Sequence, residues 1–383
     1  MTIDSPARPA SPARPASPAR PASPARPARP ARPVRPRTAR NPQTNDYFDL
    51  MRRVADAGLM ERRFRWYVWR TVALAAQLAV AFVLLLTLGQ TWWQLLVAAG
   101  FAVAFTQGAF LAHDGAHQQV FTSGARNAWY SRVIGNLVVG LSYGWWTRKH
   151  NKHHGNPNVI GKDGDIATGA LVFVPGEAEG RTGLLGWVTR RQGWLFFPLL
   201  TLFGPVFHAN AIQVLATTPA IKHRAAEAWL LGIRLVGFPV LVIATLGPWL
   251  GAAFLAVQLV VFGVYMGAAF APNHKGMPLI PKDADVDFLR RQVLTSRNIR
   301  GGRFVDWAMG GLNLQVEHHV FPRMASGNLR RAQPIVREFC AERGIPYTET
   351  GLLESYRIVI RYLNRVGLGH VDPMECPIAA RYR

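Results

Sequence analysis

TVALAAQLAVAFVLLLTLGQTWWQLLVAAGFAVAFTQGAFLA, residues 71–112, runs without a single charged side chain. It divides into two apolar segments, 71–89 and 92–112, separated only by Gln90 and Thr91. Crossing about 30 Å of hydrocarbon takes about 20 helical residues, so each segment is long enough to span a bilayer. The short separation folds them into a tight helical hairpin, with Trp92 and Trp93 at its tip, where interfacial indoles belong. A second hairpin follows the same plan: 229–246, a tip at Gly247 and Pro248, then 249–271. Both tips lack Lys and Arg, whereas the outer flanks carry Arg52, Arg53, Arg62, Arg63, Arg65, Arg70, Lys222, Arg224, Lys275, Lys282, Arg290 and Arg291. Positive residues stay on the cytoplasmic side, so both termini and the middle segment are expected inside a multi-pass cell-membrane protein. Arg234, near the start of the third span, is expected to snorkel back to that side.

A fifth apolar stretch, 193–216, contains Pro198, Pro205, His208, Asn210 and Gln213. These are costly in lipid, and a crossing here would put Lys222 and Arg224 outside, so the stretch is expected in the interface. Composition agrees with a membrane protein: 49% of the residues are hydrophobic and only 17% charged, against about 25% in a soluble domain. Lys and Arg number 44 against 22 acids, for a net charge of +22. With these apolar runs, that excess points to an anionic membrane face, and no nucleic-acid partner is expected. Cys340 and Cys376 have neither metal nor disulfide-framework spacing.

The first residues differ from the rest. SPARPA recurs from Ser5 to Ala28 and decays into ARPARPVRPRTAR. Proline at every second or third position forbids helix and sheet, so 1–45 is read as a disordered cationic tail. Residues 46–322 then form the membrane domain, and 323–383 a cytoplasmic C-terminal segment with amphipathic helices at 328–343 and 352–366.

Eight of the eleven histidines fall in four places: HDGAH (His113, His117), HNKHH (His150, His153, His154), APNHKG (His274) and QVEHH (His318, His319). Spacings of three and four put imidazoles on one helical face. A helix over 92–112 rises roughly 31 Å, which delivers His113 to the cytoplasmic boundary, and the last span delivers His274 to the same depth. One metal takes three or four protein ligands, so eight histidines imply two metals. Neutral imidazole suits iron, copper, zinc and nickel alike; so many at a lipid boundary suit a redox pair that activates oxygen. Asp114 and Glu317, each beside a box histidine, are either ring-orienting acceptors or ordinary solvated acids. Asn273 is placed to reach a metal directly or through water. His208, His223 and His370 are read as structural. A metal transporter would hold its ligands near the bilayer midplane, not at helix ends between Arg and Lys.

At these residues the chain resembles the membrane fatty acid desaturase superfamily, from about Arg63 to Pro322. HDGAH is similar to the family's first histidine box and HNKHH to its second. GGLNLQVEHHVFP (310–322) is similar to the third box of the acyl-lipid, front-end branch, in which Gln, here Gln315, replaces the first His. FFPLL (196–200) and APNHKGMP (271–278) resemble a bacterial linoleoyl-CoA-desaturase-like group. The resemblance implies an all-α membrane fold: four transmembrane helices and a cytoplasmic helical cap holding a di-iron centre. It implies His113, His117, His150, His153, His154, His274, His318 and His319 as iron ligands, and consumption of O2 and two electrons. A fatty acyl substrate, as acyl-CoA or acyl-lipid, is implied, with a hydroxylase or sphingolipid desaturase as same-chemistry rivals. Many relatives carry a fused heme domain with an HPGG motif. This chain has no such motif, so a separate ferredoxin or flavin-reductase donor is expected.

Overall fold

The computed structural model describes residues 42–369; most of the expected tail and His370 lie outside them. The elements are α1 (Pro42–Asp56), α2 (Phe64–Thr87), α3 (Gln94–Ala116), α4 (Gly124–Arg132), a π-helical turn (Val133–Val139), α5 (Tyr143–Gly155), α6 (Gly183–Arg190), α7 (Phe196–Leu200), α8 (Phe203–Thr217) and α9 (Arg224–Gly232). A second π turn (Ile233–Gly237) joins α9 to α10 (Phe238–Leu246), followed by α11 (Pro248–His274), α12 (Phe288–Leu294), β1 (Asn298–Arg300), α13 (Arg303–Ala308) and α14 (Gln315–Val320). A 3-10 turn (Ser326–Asn328), α15 (Leu329–Glu342), β2 (Glu349–Gly351) and α16 (Leu352–Gly367) complete the chain, with β1 and β2 paired in parallel.

Among the described residues, four helices are long and apolar enough to cross a membrane: α2, α3, the continuous α9–α10 and α11. They start earlier or end later than the apolar runs alone indicate. α2 begins at Phe64 and takes in Arg65 and Arg70, because the first turns of a span sit where charge is still solvated. α11 extends through Pro272 to His274. These helices pack around a shared aromatic cluster in which Phe101 meets Phe82, Phe105, Phe238 and Phe254. Lipid offers no hydrophobic driving force between helices, so close approach and van der Waals contact must hold them. Gly251 of α11 illustrates this: a Cβ there would stand 3.0 Å from the Cα of Ile243 in α10. The stretch 193–216 breaks into α7 and α8, and α8, with fifteen residues, is about 22 Å long, short of the hydrocarbon thickness.

Arg234 corrects an expectation. It does not snorkel; it is 5% exposed, donates from Nε to the Val138 carbonyl at 2.9 Å, and lies over the rings of Phe105 and Phe238 at 4.1 and 4.6 Å. A carbonyl from the π turn and two aromatic faces replace water around the guanidinium.

The segment that carries HNKHH is anchored by a second buried charge. Glu227 of α9 is fully buried and accepts from Arg132 Nε (3.2 Å), Ser142 Oγ (2.7 Å) and the Gly144 amide (3.2 Å). Ser142 itself caps α5 by accepting from the Trp145 amide. One carboxylate thus ties α4 and the first turn of α5 to α9. Outside the spans, α1, α12, α14 and α15 pack around Leu50, Val293, Val316, Val336 and Phe339 in a separate buried cluster. Removing one partner of a buried ion pair costs about 3–5 kcal/mol. Glu227→Ala is therefore expected to lower the thermal inactivation midpoint of the purified protein sharply; an unchanged midpoint would show that Glu227 does not hold α5.

Candidate metal centre

Four elements deliver the eight histidines. The last turn of α3 supplies His113 and, at its cap, His117; α5 supplies His150, His153 and His154; α11 ends on His274; α14 presents His318 and His319. Their ligand atoms fall into two groups, each within 4.8 Å: His113, His117, His150, His154 and His318, and then His153, His274 and His319. The groups adjoin, since the rings of His154 and His319 stack with centroids 4.2 Å apart.

Tautomers settle which nitrogens face inward. His153 donates from Nδ1 to Asp163 (2.9 Å), His274 to the Thr295 carbonyl (2.9 Å) and His319 to Gln292 Oε1 (2.9 Å). In the neutral rings of His274 and His319 those protons leave each Nε2 with its lone pair. Yet His274 Nε2 lies 3.3 Å from His153 Nε2 and 3.0 Å from His319 Nε2. Two bare lone pairs at that separation repel unless a cation lies between them. Ligands about 2.1 Å from a metal, at right angles, sit about 3 Å apart, so the spacing fits coordination. In the larger group, His117 and His150 approach at 2.9 Å and His154 and His318 at 3.1 Å, while His113 Nε2 is buried with no partner. Burial, and then the neighbouring imidazoles, hold His150, His154, His318 and His319 well below the usual histidine range. Those four rings are therefore neutral, the state a metal requires.

The carboxylates and amides nearby divide by what they touch. Asp114 approaches His113 Nδ1 at 3.2 Å and accepts from Ser326 Oγ at 2.5 Å. Gln315 donates to His274 Nε2 at 2.8 Å and accepts from Asn273 at 3.2 Å. A half-turn of that amide exchanges nitrogen for oxygen at the same point, and the buried Asn273 Oδ1 beside it has no partner. Both side chains thus have oxygens to offer the three-histidine group. Glu317 does not orient a ring in this way. Its carboxylate accepts from Tyr347 (2.6 Å) and Asn298 (2.7 Å), and burial pushes it up to about 7. The helical turn of α14 explains this: successive side chains are rotated by about 100°, which carries Glu317 away from the rings and toward Tyr347 and Asn298.

Several positioning residues were missed by sequence reasoning. Asp163 and Asp165 flank His153 Nδ1 at 2.9 and 3.5 Å; the DGD triplet that begins ten residues after His153 was the available signal. Gln292 and Thr295 gave none. Nor did Arg297, which is 1% exposed and donates to the Pro272 and Lys275 carbonyls at the end of α11. Those orphan carbonyls are what a cationic cap satisfies, and the clamp fixes the turn that presents His274. His208 has a structural role, donating from Nδ1 to the Gly140 carbonyl at 2.8 Å.

Comparison with known proteins agrees with this chemistry. Residues 90–351 match the family model described as fatty acid desaturase. A Delta(6)-fatty-acid desaturase of Caenorhabditis elegans is 28% identical over 332 residues, covering 83% of this chain and 74% of the relative. A Delta(5) fatty acid desaturase of the same organism is 30% identical over 328 residues, covering 80% and 71%. An acyl-lipid (9-3)-desaturase of Physcomitrium patens is 30% identical over 291 residues, covering 69% of this chain and 52% of its own.

Loss of a carboxylate that orients a ligating histidine typically costs 10–100-fold in metal affinity. Asp163→Asn is expected to weaken metal retention by about that factor, read by titrating purified protein with a chelator. Glu317→Gln, whose side chain faces away from the rings, is expected to retain metal like the parent; equal behaviour of the two variants would contradict the assignment.

Proposed function

The chain belongs to the fatty acid desaturase family, and from that premise we propose that it introduces a cis double bond into a fatty acyl chain at a di-iron centre. It is a membrane oxidoreductase. The observation that carries the finer reading is the set of eight imidazoles whose ligand atoms form two adjoining groups. Two metals fit that arrangement: His113, His117, His150, His154 and His318 would hold one, and His153, His274 and His319, with Gln315 and Asn273 beside them, the other. An iron pair supplies, when bound, the O2-dependent removal of two hydrogens from adjacent unactivated methylenes.

The rest of the task belongs to the protein. An unactivated methylene has no acidic proton, so what the chain must provide is position and dryness. A small cavity of about 30 Å³, walled by Ala109, Ala112, Val139, Met266 and Phe270, has His113 and Trp146 in its lining. It has room for about one methylene beside His113, with Ser131, Ser142 and Tyr143 also in its lining. Asp114, Asp163, Gln292 and the Thr295 carbonyl keep the rings in the tautomer that leaves Nε2 free. The substrate is read as acyl-CoA or acyl-lipid, and the electrons as coming from a separate ferredoxin or flavin-reductase donor. The ligand-bearing ends of α3 and α11 and both termini are read as cytoplasmic at the cell membrane, because the arginines and lysines gather there. In that reading 46–322 is the catalytic membrane domain, with 193–216 in the interface and 323–383 as a covering segment.

Expression in a host that makes simple saturated fats, followed by mass analysis of fatty acid esters, tests this directly. The expected product is lighter by two hydrogens, and its fragmentation places the bond. A product that gains oxygen would instead assign a hydroxylase. His154→Ala is expected to abolish the product while leaving the protein in the membrane; unsaturated product from that variant would remove its ligand role.

A further inference from the structure

We propose that a second pocket, at the mouth of α2 and apart from the metal centre, binds the anionic phosphate headgroup of a membrane phospholipid. The pocket encloses about 630 Å³ between the start of α2, α3, α13 and the start of α15, a volume in the range of built small-molecule sites. Its lining holds five arginines, Arg63, Arg70, Arg303, Arg330 and Arg331, against one acid, Asp306. That acid is already committed to Arg330 and to Asn313. Arg63 donates to the Gly327 carbonyl, and Arg70 donates to Gln107 while lying over Trp66. Arg303 and Arg331 are exposed, and among the described residues neither forms an ion pair. The pocket therefore presents uncompensated positive charge, and planar guanidinium groups suit phosphate oxygens.

What lies beneath the charge distinguishes a lipid from a soluble phosphate. Ala73, Leu74 and Leu111, with Gln77 beside them, line it in the direction in which α2 runs into its apolar span. Trp69 and Trp307, 70% and 43% exposed, flank the opening, as indoles do at headgroup level. Cations above, indoles at the rim and aliphatic groups below repeat the order of a phospholipid from phosphate to acyl chain. A free inorganic phosphate would have no use for that aliphatic wall.

The pocket opens on the face of α3 bearing Gln107 and Leu111, whereas the cavity lined by His113 lies against Ala109 and Ala112. The two are separate spaces, so the lipid is not thereby the substrate, and the inference does not depend on the desaturase reading. A chain of contacts links them: Ser326 lines the pocket and donates to Asp114, which meets His113 of the smaller cavity.

The test uses the full-length, metal-loaded protein in detergent, titrated with fluorescent phosphatidylglycerol and, separately, phosphatidylcholine. Arg303→Gln/Arg331→Gln is expected to weaken phosphatidylglycerol binding about tenfold or more and to leave phosphatidylcholine binding and metal content unchanged. Arg126→Gln/Arg365→Gln removes equal charge from exposed positions outside the pocket and is expected to change binding by less than about twofold. If the double variant loses metal, the single Arg331→Gln substitution carries the comparison. Equal losses in pocket and control pairs would reduce the effect to general surface charge and overturn the proposal. So would unchanged binding in the pocket variant, or displacement of phosphatidylglycerol by an equal concentration of coenzyme A, which would make this a soluble-phosphate site.

Discussion

Unprotonated imidazole nitrogens of His274 and His319 facing one another across 3.0 Å are the constraint on which the molecule is organised. Neutral rings with their protons turned outward repel at that distance, and protonated rings crowded in a buried site repel more strongly. Only a cation between them makes the arrangement favourable. The fold therefore has to hold the rings in place against their mutual repulsion, and much of the buried polar structure outside the ligands can be understood as doing so.

Three devices share that work. Carbonyl and carboxylate acceptors on Nδ1 select the tautomer and lock ring rotation at His153, His274 and His319. The guanidinium of Arg297 closes the end of α11 and so sets the height of His274. The Glu227 carboxylate, buried between α9 and the start of α5, sets where the HNKHH helix begins. Each is a buried charge or dipole with its partners supplied by a distant segment, an arrangement costly to assemble and costly to break. The apolar spans contribute position more than specificity: their packing brings the ends of α3 and α11 to one level, from which the ligands project.

Periodicity and box spacing were sufficient to read the four apolar helices, because hydrocarbon thickness and helical rise leave little choice of length. The same arithmetic placed His113 and His274 at the same depth. It failed where a residue's surroundings come from another part of the chain. Arg234 looks like an interfacial arginine in its own helix, yet the carbonyl of Val138 and the faces of Phe105 and Phe238 draw it inward. Glu317 sits beside two ligands in the chain, but the turn of α14 gives it to Tyr347 and Asn298. Arg297 and Gln292 lie in unremarkable sequence and acquire their roles only by being folded against α11 and α14.

What the amino-acid sequence by itself determined is the set of local quantities: which segments are apolar for long enough to cross lipid, and which histidines share a helical face. Those depend on bond geometry and on the transfer of side chains from water, and both act over a few turns of chain. The tertiary structure alone decided how eight rings divide into two groups, which nitrogen of each faces inward, and which acids hold them. Those are matters of a few tenths of an ångström between segments ten to more than a hundred residues apart, and no pattern along a single strand of sequence encodes such distances.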